Sequence, residues 1–289
     1  MKADDSYPLM TIGVPVFNEE RFIDSALTSL RGQDYPNLEI IIADNASTDR
    51  TLEICKRHAL EDTRIRIETT EINRGAVANF GHVLDMASGA YFMWAAGHDL
   101  WTSNLVSECI SLLEDDARAC LAFASSRWIG VDSEPLAMAS GWSDTRDLAA
   151  AARFFTIFWG NMHPVMGVMR THRMRECSPM PGIVGGDLVF LADLSLRGSF
   201  LHAAKSCWSR REFRLEKHHD DKLKRYASDS TGIIRTRFTR MFPLLKLPFA
   251  LIKVVLRSGI SIGDKLGIII ALMPSLLLRY VVGRRGHAE

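Results

Sequence analysis

The chain has 289 residues, 47% of them apolar and 24% charged, which excludes a disordered tail or a collagen-like repeat. Thirty-five Lys and Arg against 34 Asp and Glu leave +1, so no global excess of positive charge points to a nucleic-acid partner. The balance is uneven, because residues 232–289 carry +8 and the remainder −7. That asymmetry gives the C-terminal part a partner of its own. A chain this long buries a core without disulfides or a structural metal, as one large domain or two modest ones. Cys55, Cys109, Cys120, Cys177 and Cys207 are odd in number, scattered and without a close pair, and read as buried, reduced thiols of a cytosolic protein. The start, MKADDSYPLM, has no apolar signal-peptide core, and no uncharged apolar run reaches the roughly 18 residues of a membrane span.

In chain order, Met10–Val16 reads as a strand ending in Pro15–Asn18. Asn18 is placed to cap a helix whose Phe22, Ile23, Ala26, Leu27 and Leu30 share one face and which stops at Gly32. Leu38–Ala43 is a continuous apolar run of strand length, as inside a parallel sheet, and Ser47 reads as the cap of a helix through His58. A strand at Ile65–Thr69, a helix at Ala76–Ala87, a strand at Tyr91–Ala96, a helix at Asn104–Leu113 and a strand at Cys120–Ser125 follow. This alternation predicts an α/β fold with a mostly parallel central sheet covered by helices. In the second half, Leu148–Trp159 reads as a helix, Val165–Arg170 as a strand, Leu188–Leu196 as a helix and Phe200–Ala204 as a strand, before a basic, His-containing stretch at Ser209–Arg225.

Ligands of such sheets sit outside the carboxyl ends of the strands. The polar residues there, Asn18–Glu19, Asp44–Asn45, Asn73–Arg74 and His98–Asp99, are expected to converge on one crevice. At this level the convergence specifies a binding site and no reaction.

Five segments together resemble the family 2 glycosyltransferases of GT-A fold. They are Val14-Pro-Val-Phe-Asn-Glu-Glu20, Ile42-Ala-Asp-Asn-Ala-Ser-Thr-Asp-Arg-Thr51, Asn73-Arg-Gly75, Tyr91-Phe-Met-Trp-Ala-Ala-Gly-His-Asp-Leu-Trp101, and Gly185-Gly-Asp187 opening a helix that ends Leu196-Arg-Gly198. Each is weak alone, and their order and spacing fit over residues 8–215. The resemblance implies transfer of a sugar from a nucleotide-diphosphate donor, with inversion at the anomeric carbon.

Each segment also has its own chemistry. After Pro15, the turn can set Phe17 to stack on a base and Glu19 to accept from base or ribose; a strand end with a helix cap is the alternative. Asp44, with Asn45 beside it, can accept from a pyrimidine N–H or a ribose hydroxyl, or be a turn residue. Arg74 brings positive charge towards the diphosphate or base, or is a solvated loop charge. The family's Asp-x-Asp, which holds Mn²⁺ or Mg²⁺ on the diphosphate, is degenerate here: Ala96-Gly97-His98 stands in its place, followed by Asp99. His98 and Asp99 are the candidate metal ligands. An imidazole with a carboxylate favours Mn²⁺ over Mg²⁺, while a protonated His98 could bind diphosphate oxygens directly. Asp187 matches the family's catalytic base, which takes the proton of the acceptor hydroxyl. The helix N-terminus lowers its pKa, so burial has to counter that effect.

His218 is a weaker metal candidate among charged neighbours. Arg210 and Arg211 resemble a basic pair that approaches the diphosphate, and Arg211 is taken as nucleotide-sugar-binding. Trp159, Asn161 and His163 are candidates for the acceptor pocket.

The tail has Lys246, Lys253 and Arg257 on one helical face of an otherwise apolar Leu244–Arg257, then an uncharged Leu266–Leu278 broken by Pro274 and followed by Arg279, Arg284 and Arg285. Residues 240–285 are expected to lie in an anionic membrane surface, with Phe249, Ile252 and Leu256 in the acyl boundary. Helices packed on the catalytic domain are the alternative. The expected division is 1–231 for catalysis (1–127 for the nucleotide sugar, 128–231 for the acceptor) and 232–289 for the tail. The reading is a glycosyltransferase, cytoplasmic and peripheral at the inner face of the cell membrane, with a lipid-linked glycan of a surface polysaccharide as acceptor. Its rivals are a soluble transferase acting on a protein or small molecule, and a nucleotide-sugar-binding scaffold that has lost catalysis.

Overall fold

The computed structural model describes residues 7–138, 141, 143–161, 163–213, 242 and 244–282. Four strands, β1 (Met10–Val16), β2 (Leu38–Asp44), β3 (Ile65–Thr69) and β4 (Tyr91–Trp94), are parallel and lie in the order β3-β2-β1-β4. This is the predicted α/β half. Beyond β4 the sheet continues through β8 (Val168–Arg170), β6 (Ala119–Ile129), β9 (Ser199–Arg211) and β5 (Leu100–Trp101), with β7 (Pro135–Leu136) paired to β6.

This second half is mixed rather than parallel. β8 is antiparallel to both β4 and β6, and β5 is antiparallel to β9, while β6 and β9 run together. The expected strand Val165–Arg170 shrinks to three residues because a 3-10 turn takes His163–Met166. β9 runs to Arg211, seven residues past the expected end, because it stays paired with β6 through two register shifts.

Helices cover both faces. On one side α1 (Ile23–Arg31), α2 (Thr51–Glu61) and α4 (Leu105–Asp115) pack Leu27, Cys55 and Ile110 on Ile12, Val14, Ile40 and Ile42. On the other lie α3 (Ala76–Asp85), α5 (Ala150–Trp159) and α7 (Gly186–Ser195), with Val83, Phe158 and Leu191 against Phe92, Trp94 and Phe123. A short helix, α6 (Thr171–Glu176), follows β8. Close approach has a sequence cause at Gly13, where a Cβ would sit 2.7 Å from the Phe92 ring.

The caps expected at Asn18 and Ser47 are not formed: α1 and α2 begin at Ile23 and Thr51, with no side-chain cap on either. Asn18 instead takes φ 54°, a left-handed conformation that Asn tolerates. Its Oδ1 accepts the Thr48 N–H at 2.8 Å, and Ser47 Oγ accepts the Asn18 N–H at 3.0 Å. The two turns are thus fastened to each other. Four of the five cysteines are buried, and Cys207 is partly exposed.

The tail helices α8 (Lys246–Arg257) and α9 (Ile262–Val282) pack on this second face. Leu247, Leu251, Val254 and Val255 of α8, with Ile268, Leu272 and Leu276 of α9, belong to the same apolar cluster as α5 and α7. The packing explains why α7 is buried nearly all round: α5 lies on one side of it and α8 on another. Ile252, expected in lipid, is half-buried against the cluster. Arg279, expected at head groups, turns inward over the Phe158 ring at 5.1 Å. Arg284 and Arg285 lie outside the described residues. No described helix is long and apolar enough to cross a membrane.

The two sides of α8 should respond differently to substitution. Leu251→Ala removes a fully buried side chain and should lower unfolding free energy by about 2–5 kcal/mol. Phe249→Ser, at a position 68% exposed, should stay within about 0.5 kcal/mol of the parent. Urea titrations of both variants check this, and equal effects would remove α8 from the core.

Candidate active site

At the carboxyl ends of the parallel strands a crevice of about 410 Å³ opens. Its walls include Pro15 near the end of β1, Phe17 and Glu19 after it, Asn45 after β2, His98 and Asp99 after β4, Asp187 at the start of α7, and Arg210 and Arg211 at the end of β9. Residues separated by up to nearly two hundred positions therefore meet in one place. Two expected members stand apart from this lining. Arg74 is exposed on the loop before α3, where its backbone N–H donates to Asn45 Oδ1 at 2.9 Å. Asp44 is buried at the end of β2; its Oδ2 accepts the Ser47 N–H at 3.1 Å, and its Oδ1 has no hydrogen-bond partner among the described residues.

Asn45 works partly as a fastener. Its Nδ2 donates to Asn73 Oδ1 at 2.8 Å, which holds the loop after β3 against the end of β2. Buried Asn79 on α3 does the same between strands, donating to the Ala43 carbonyl at 2.8 Å.

Beyond β4, Glu19 and His98 form a pair, with Nδ1 of the ring 2.9 Å from Oε1. Gly97 permits it, since a Cβ there would press on Glu19 Cγ at 3.1 Å. Asp99 faces the protein. Its Oδ2 accepts the Trp208 indole N–H at 2.9 Å and its Oδ1 the Arg211 backbone N–H at 2.8 Å. Burial pushes the Asp99 carboxyl above its ordinary range, against the His98 charge and these two N–H donors. Both oxygens of the expected ligand are thus committed to the frame.

Arg211, expected on the nucleotide, is likewise buried and committed. Its guanidinium donates to the carbonyls of His98, Gly130 and Val131 at 2.8 Å each and to Ser133 Oγ at 3.0 Å. The neighbouring Arg210 also lines the crevice, and its guanidinium lies over tryptophans, 4.3 Å from the Trp128 ring centroid and 5.7 Å from that of Trp208. Trp128 and Trp208 are site residues that the sequence reading did not identify. Period-two alternation puts Trp208 and Arg210 on one face of β9, but the pattern becomes informative only once the strand is known to extend to Arg211.

Asp187 opens α7 beneath the crevice. Gly185 has φ 82°, and a Cβ on Gly186 would lie 2.3 Å from the Pro181 carbonyl oxygen, so both positions before Asp187 require glycine. The Leu188 N–H donates to Asp187 Oδ1 at 2.9 Å. The side chain is partly exposed to the crevice and otherwise surrounded by protein. Burial raises its pKa, opposed by the N–H groups of Leu188 and Asp187 and by the charges of Arg210 and Arg279. Burial outweighs the helix N-terminus here.

The acceptor-pocket candidates separate. His163 is buried with Nε2 2.8 Å from the Ala124 carbonyl, and burial brings its pKa down to about 4, so the ring is neutral. Trp159 is 49% exposed on the far end of α5. Neither lines the crevice, where Val165 and Met166 stand beside Asp187 instead. Asn161 places its Oδ1 3.0 Å from the His163 N–H, which it accepts. His218 lies outside the described residues. Among those residues no three His, Cys, Asp or Glu side chains form a set able to hold a metal. A cation here would rest on His98 Nε2, the nitrogen left without a hydrogen bond when Nδ1–H donates to Glu19, and would depend on donor phosphates for most of its shell.

The frame role of Asp99 is testable. Asp99→Ala leaves two buried N–H donors unpaired and should lower stability by about 1–3 kcal/mol for each, measured by urea denaturation. Asp99→Asn retains an acceptor and should recover part of that loss. Unchanged stability in both variants, with weakened donor binding, would return Asp99 to the role of a metal ligand.

Comparison with known proteins gives this geometry a family. The model of glycosyl transferase family 2 matches residues 11–164, more than half of the chain. An uncharacterized glycosyltransferase of Haemophilus influenzae is 22% identical over 186 residues, covering 64% of this chain and 71% of its own. The Escherichia coli UDP-Glc:alpha-D-GlcNAc-diphosphoundecaprenol beta-1,3-glucosyltransferase WfgD is 31% identical over 38% of this chain and 42% of its own. The Campylobacter jejuni GalNAc(5)-diNAcBac-PP-undecaprenol beta-1,3-glucosyltransferase is 30% identical over 35% of this chain and 33% of its own. In most such comparisons the chain spans about a third to a half of the relative's length. Among solved structures, S. aureus TarS 1-349 in complex with UDP-GlcNAc superposes with TM-score 0.65 at 14% identity, over 92% of this chain and 72% of that one. The Pyrobaculum calidifontis mannosyltransferase PcManGT, in complex with GDP-Man and Mn²⁺, gives 0.58 at 16% identity, over 99% and 86%. These likenesses establish the fold, and with the matched family model the chain belongs to glycosyl transferase family 2.

Proposed function

We propose that the crevice binds a nucleoside-diphosphate sugar and transfers the sugar, with inversion, to an acceptor hydroxyl delivered beside Asp187. The observation that carries this reading is the placement of Asp187: a partly exposed carboxylate with a raised pKa, in the same crevice as Phe17, Glu19 and His98. A base of raised pKa is better suited to take a hydroxyl proton near neutral pH than an ordinary carboxylate. The acceptor oxygen attacks the anomeric carbon as its proton passes to Asp187. The bond from that carbon to the diphosphate breaks, and the nucleoside diphosphate leaves with the electron pair.

The donor's base and ribose are assigned to the β1–β2 side, where Phe17 offers a ring. Asp44, buried behind Asn45 and outside the lining, keeps an Oδ1 without a hydrogen-bond partner among the described residues, and is assigned to the nucleotide side as an acceptor only if the donor reaches behind that wall. Arg210, held over Trp128 beside the crevice, supplies positive charge for the departing diphosphate. A divalent cation, Mn²⁺ in preference to Mg²⁺ because of the imidazole donor, would neutralise the diphosphate at His98. The acceptor is assigned as a lipid-linked glycan of a cell-surface polysaccharide. The support is that relatives matching a third of this chain are named for diphosphoundecaprenol acceptors. The enzyme then works peripherally at the cytoplasmic face of the membrane.

Asp187→Asn should leave nucleotide-induced thermal stabilisation intact and lower turnover about 10²- to 10⁴-fold. A wild-type rate in that variant would remove the base. Since the protonated base is inactive and burial raises its pKa, activity should fall with decreasing pH along a limb lying above 3.8, read from kcat/KM against pH. Chelation with EDTA should depress turnover, with Mn²⁺ restoring more than Mg²⁺. Unchanged turnover in EDTA would leave His98 as a direct phosphate contact. A chain that is stabilised by donors yet never hydrolyses or transfers them would favour the binding scaffold.

A further inference from the structure

The tail helices have two apolar sides, and only one of them is covered. On α9 the residues Ile262, Leu266, Ile270, Met273 and Leu277 recur at four, four, three and four positions, which sets them on one helical face. All five are exposed, Ile270 by 74% and Leu277 by 67%. The opposite face carries Ile268, Leu272 and Leu276, which are buried in the core. On α8 the exposed Phe249 and Leu256 stand opposite the buried Leu251 and Val255. Contiguous exposed apolar surface of this kind marks an interaction site.

The polar groups beside it indicate the partner. Lys246, Lys253 and Arg257 are exposed and share one side of α8, next to the row that contains Phe249 and Leu256. The acid of this region, Asp264, is turned to Ser261, whose hydroxyl donates to it at 2.7 Å. A second copy of the chain meeting this face about a two-fold axis that runs across the helices would bring the two basic rows together, which is repulsive, and one about an axis along the helices would leave both rows without an acidic partner. An anionic lipid surface complements both features, with head groups against the basic row and acyl chains against the apolar stripe.

We infer that the outer face of α8 and α9 is a preformed docking surface for an anionic bilayer, fixed to the catalytic core by the inner face of the same helices. This rests on the reading that the acceptor is lipid-linked, and it adds the geometry by which the acceptor is met. α8 packs on α7, and Leu247 lies 3.3 Å from where a Cβ on Gly185 would be. α8 is therefore attached directly to the segment that positions Asp187, and α9 is attached through α8 and α5. Docking sets the height of the base above the lipid plane, so an acceptor sugar on a membrane anchor is offered at a fixed distance. Of the described basic residues, Lys246, Lys253 and Arg257 serve, and Arg279 faces inward.

The test uses the full chain and sedimentation with vesicles of phosphatidylcholine alone or mixed with phosphatidylglycerol. Binding is expected to the mixed vesicles and to weaken with salt. The combined variant K246E, K253E and R257E should bind them at least about 100-fold more weakly, given the contribution of each basic residue at an anionic surface. Ile270→Ser with Phe249→Ser should also release the protein. Both variants alter exposed positions, so their melting temperatures and their stabilisation by UDP and GDP should match the parent. Equal binding to both vesicle types, or none to either, would overturn the proposal. So would a dimer in sedimentation equilibrium that the Ser variants dissociate, since a second copy would then cover the face. Vesicle binding without any nucleotide stabilisation would sink the transferase reading and leave the docking face standing.

Discussion

One buried carboxylate holds the crevice in shape. Asp99 follows β4, the last parallel strand, and its oxygens take N–H groups from Trp208 and Arg211 near the end of β9. The two halves of the sheet close on each other at this point, over a hundred residues apart in sequence. Arg211 extends the connection to the turn after β6 through the carbonyls of Gly130 and Val131. A buried charge is tolerated only where its hydrogen-bonding capacity is filled, and here the filling partners are the walls of the site. Trp208 and Arg210, which line the crevice, occupy positions that this link determines.

The opposing influences on Asp187 follow from that enclosure. At a helix N-terminus, with N–H groups and two arginines nearby, a carboxylate is favoured as the anion. The surrounding protein outweighs this and raises the pKa. The glycine pair before it brings the chain close to Pro181, so the carboxylate reaches the crevice from a fully packed helix. On the proposed function, a carboxylate with a raised pKa held at the crevice suits the removal of a hydroxyl proton.

The C-terminal helices show how one segment can belong to a core and still present an apolar surface. Their inner residues fill the space over α5 and α7, while the outer row of α9 stays open. Ordinary amphipathic helices on a domain put charge on that outer side. The departure from the pattern, together with the flanking basic row, distinguishes this face from a plain structural cover.

Much of the first half was legible in the sequence. The apolar run Leu38–Ala43 and the patterned Met10–Val16 read as parallel strands because strands covered by helices on both faces are apolar throughout and alternate with those helices in the chain, and the polar residues after them converge because successive parallel strands share a carboxyl edge. Pro15, Phe17, Glu19, Asn45 and His98 share the crevice for that reason, whereas Asp187, at the start of α7, was legible only through the family resemblance. The sequence also determined the apolar content of the tail and its basic spacing. It could not decide which face of the tail packs inward, since α8 and α9 have apolar residues on both sides and only the shape of α5 and α7 chooses between them. Nor could it separate Arg210 from Arg211, or tell that Asp99 would turn to the protein. Adjacent residues on a strand point in opposite directions, and which guanidinium is buried on backbone carbonyls and which lies over the tryptophans depends on the register of β9 against β6. That register is a property of the assembled sheet, fixed by pairing across distant segments rather than by any local pattern.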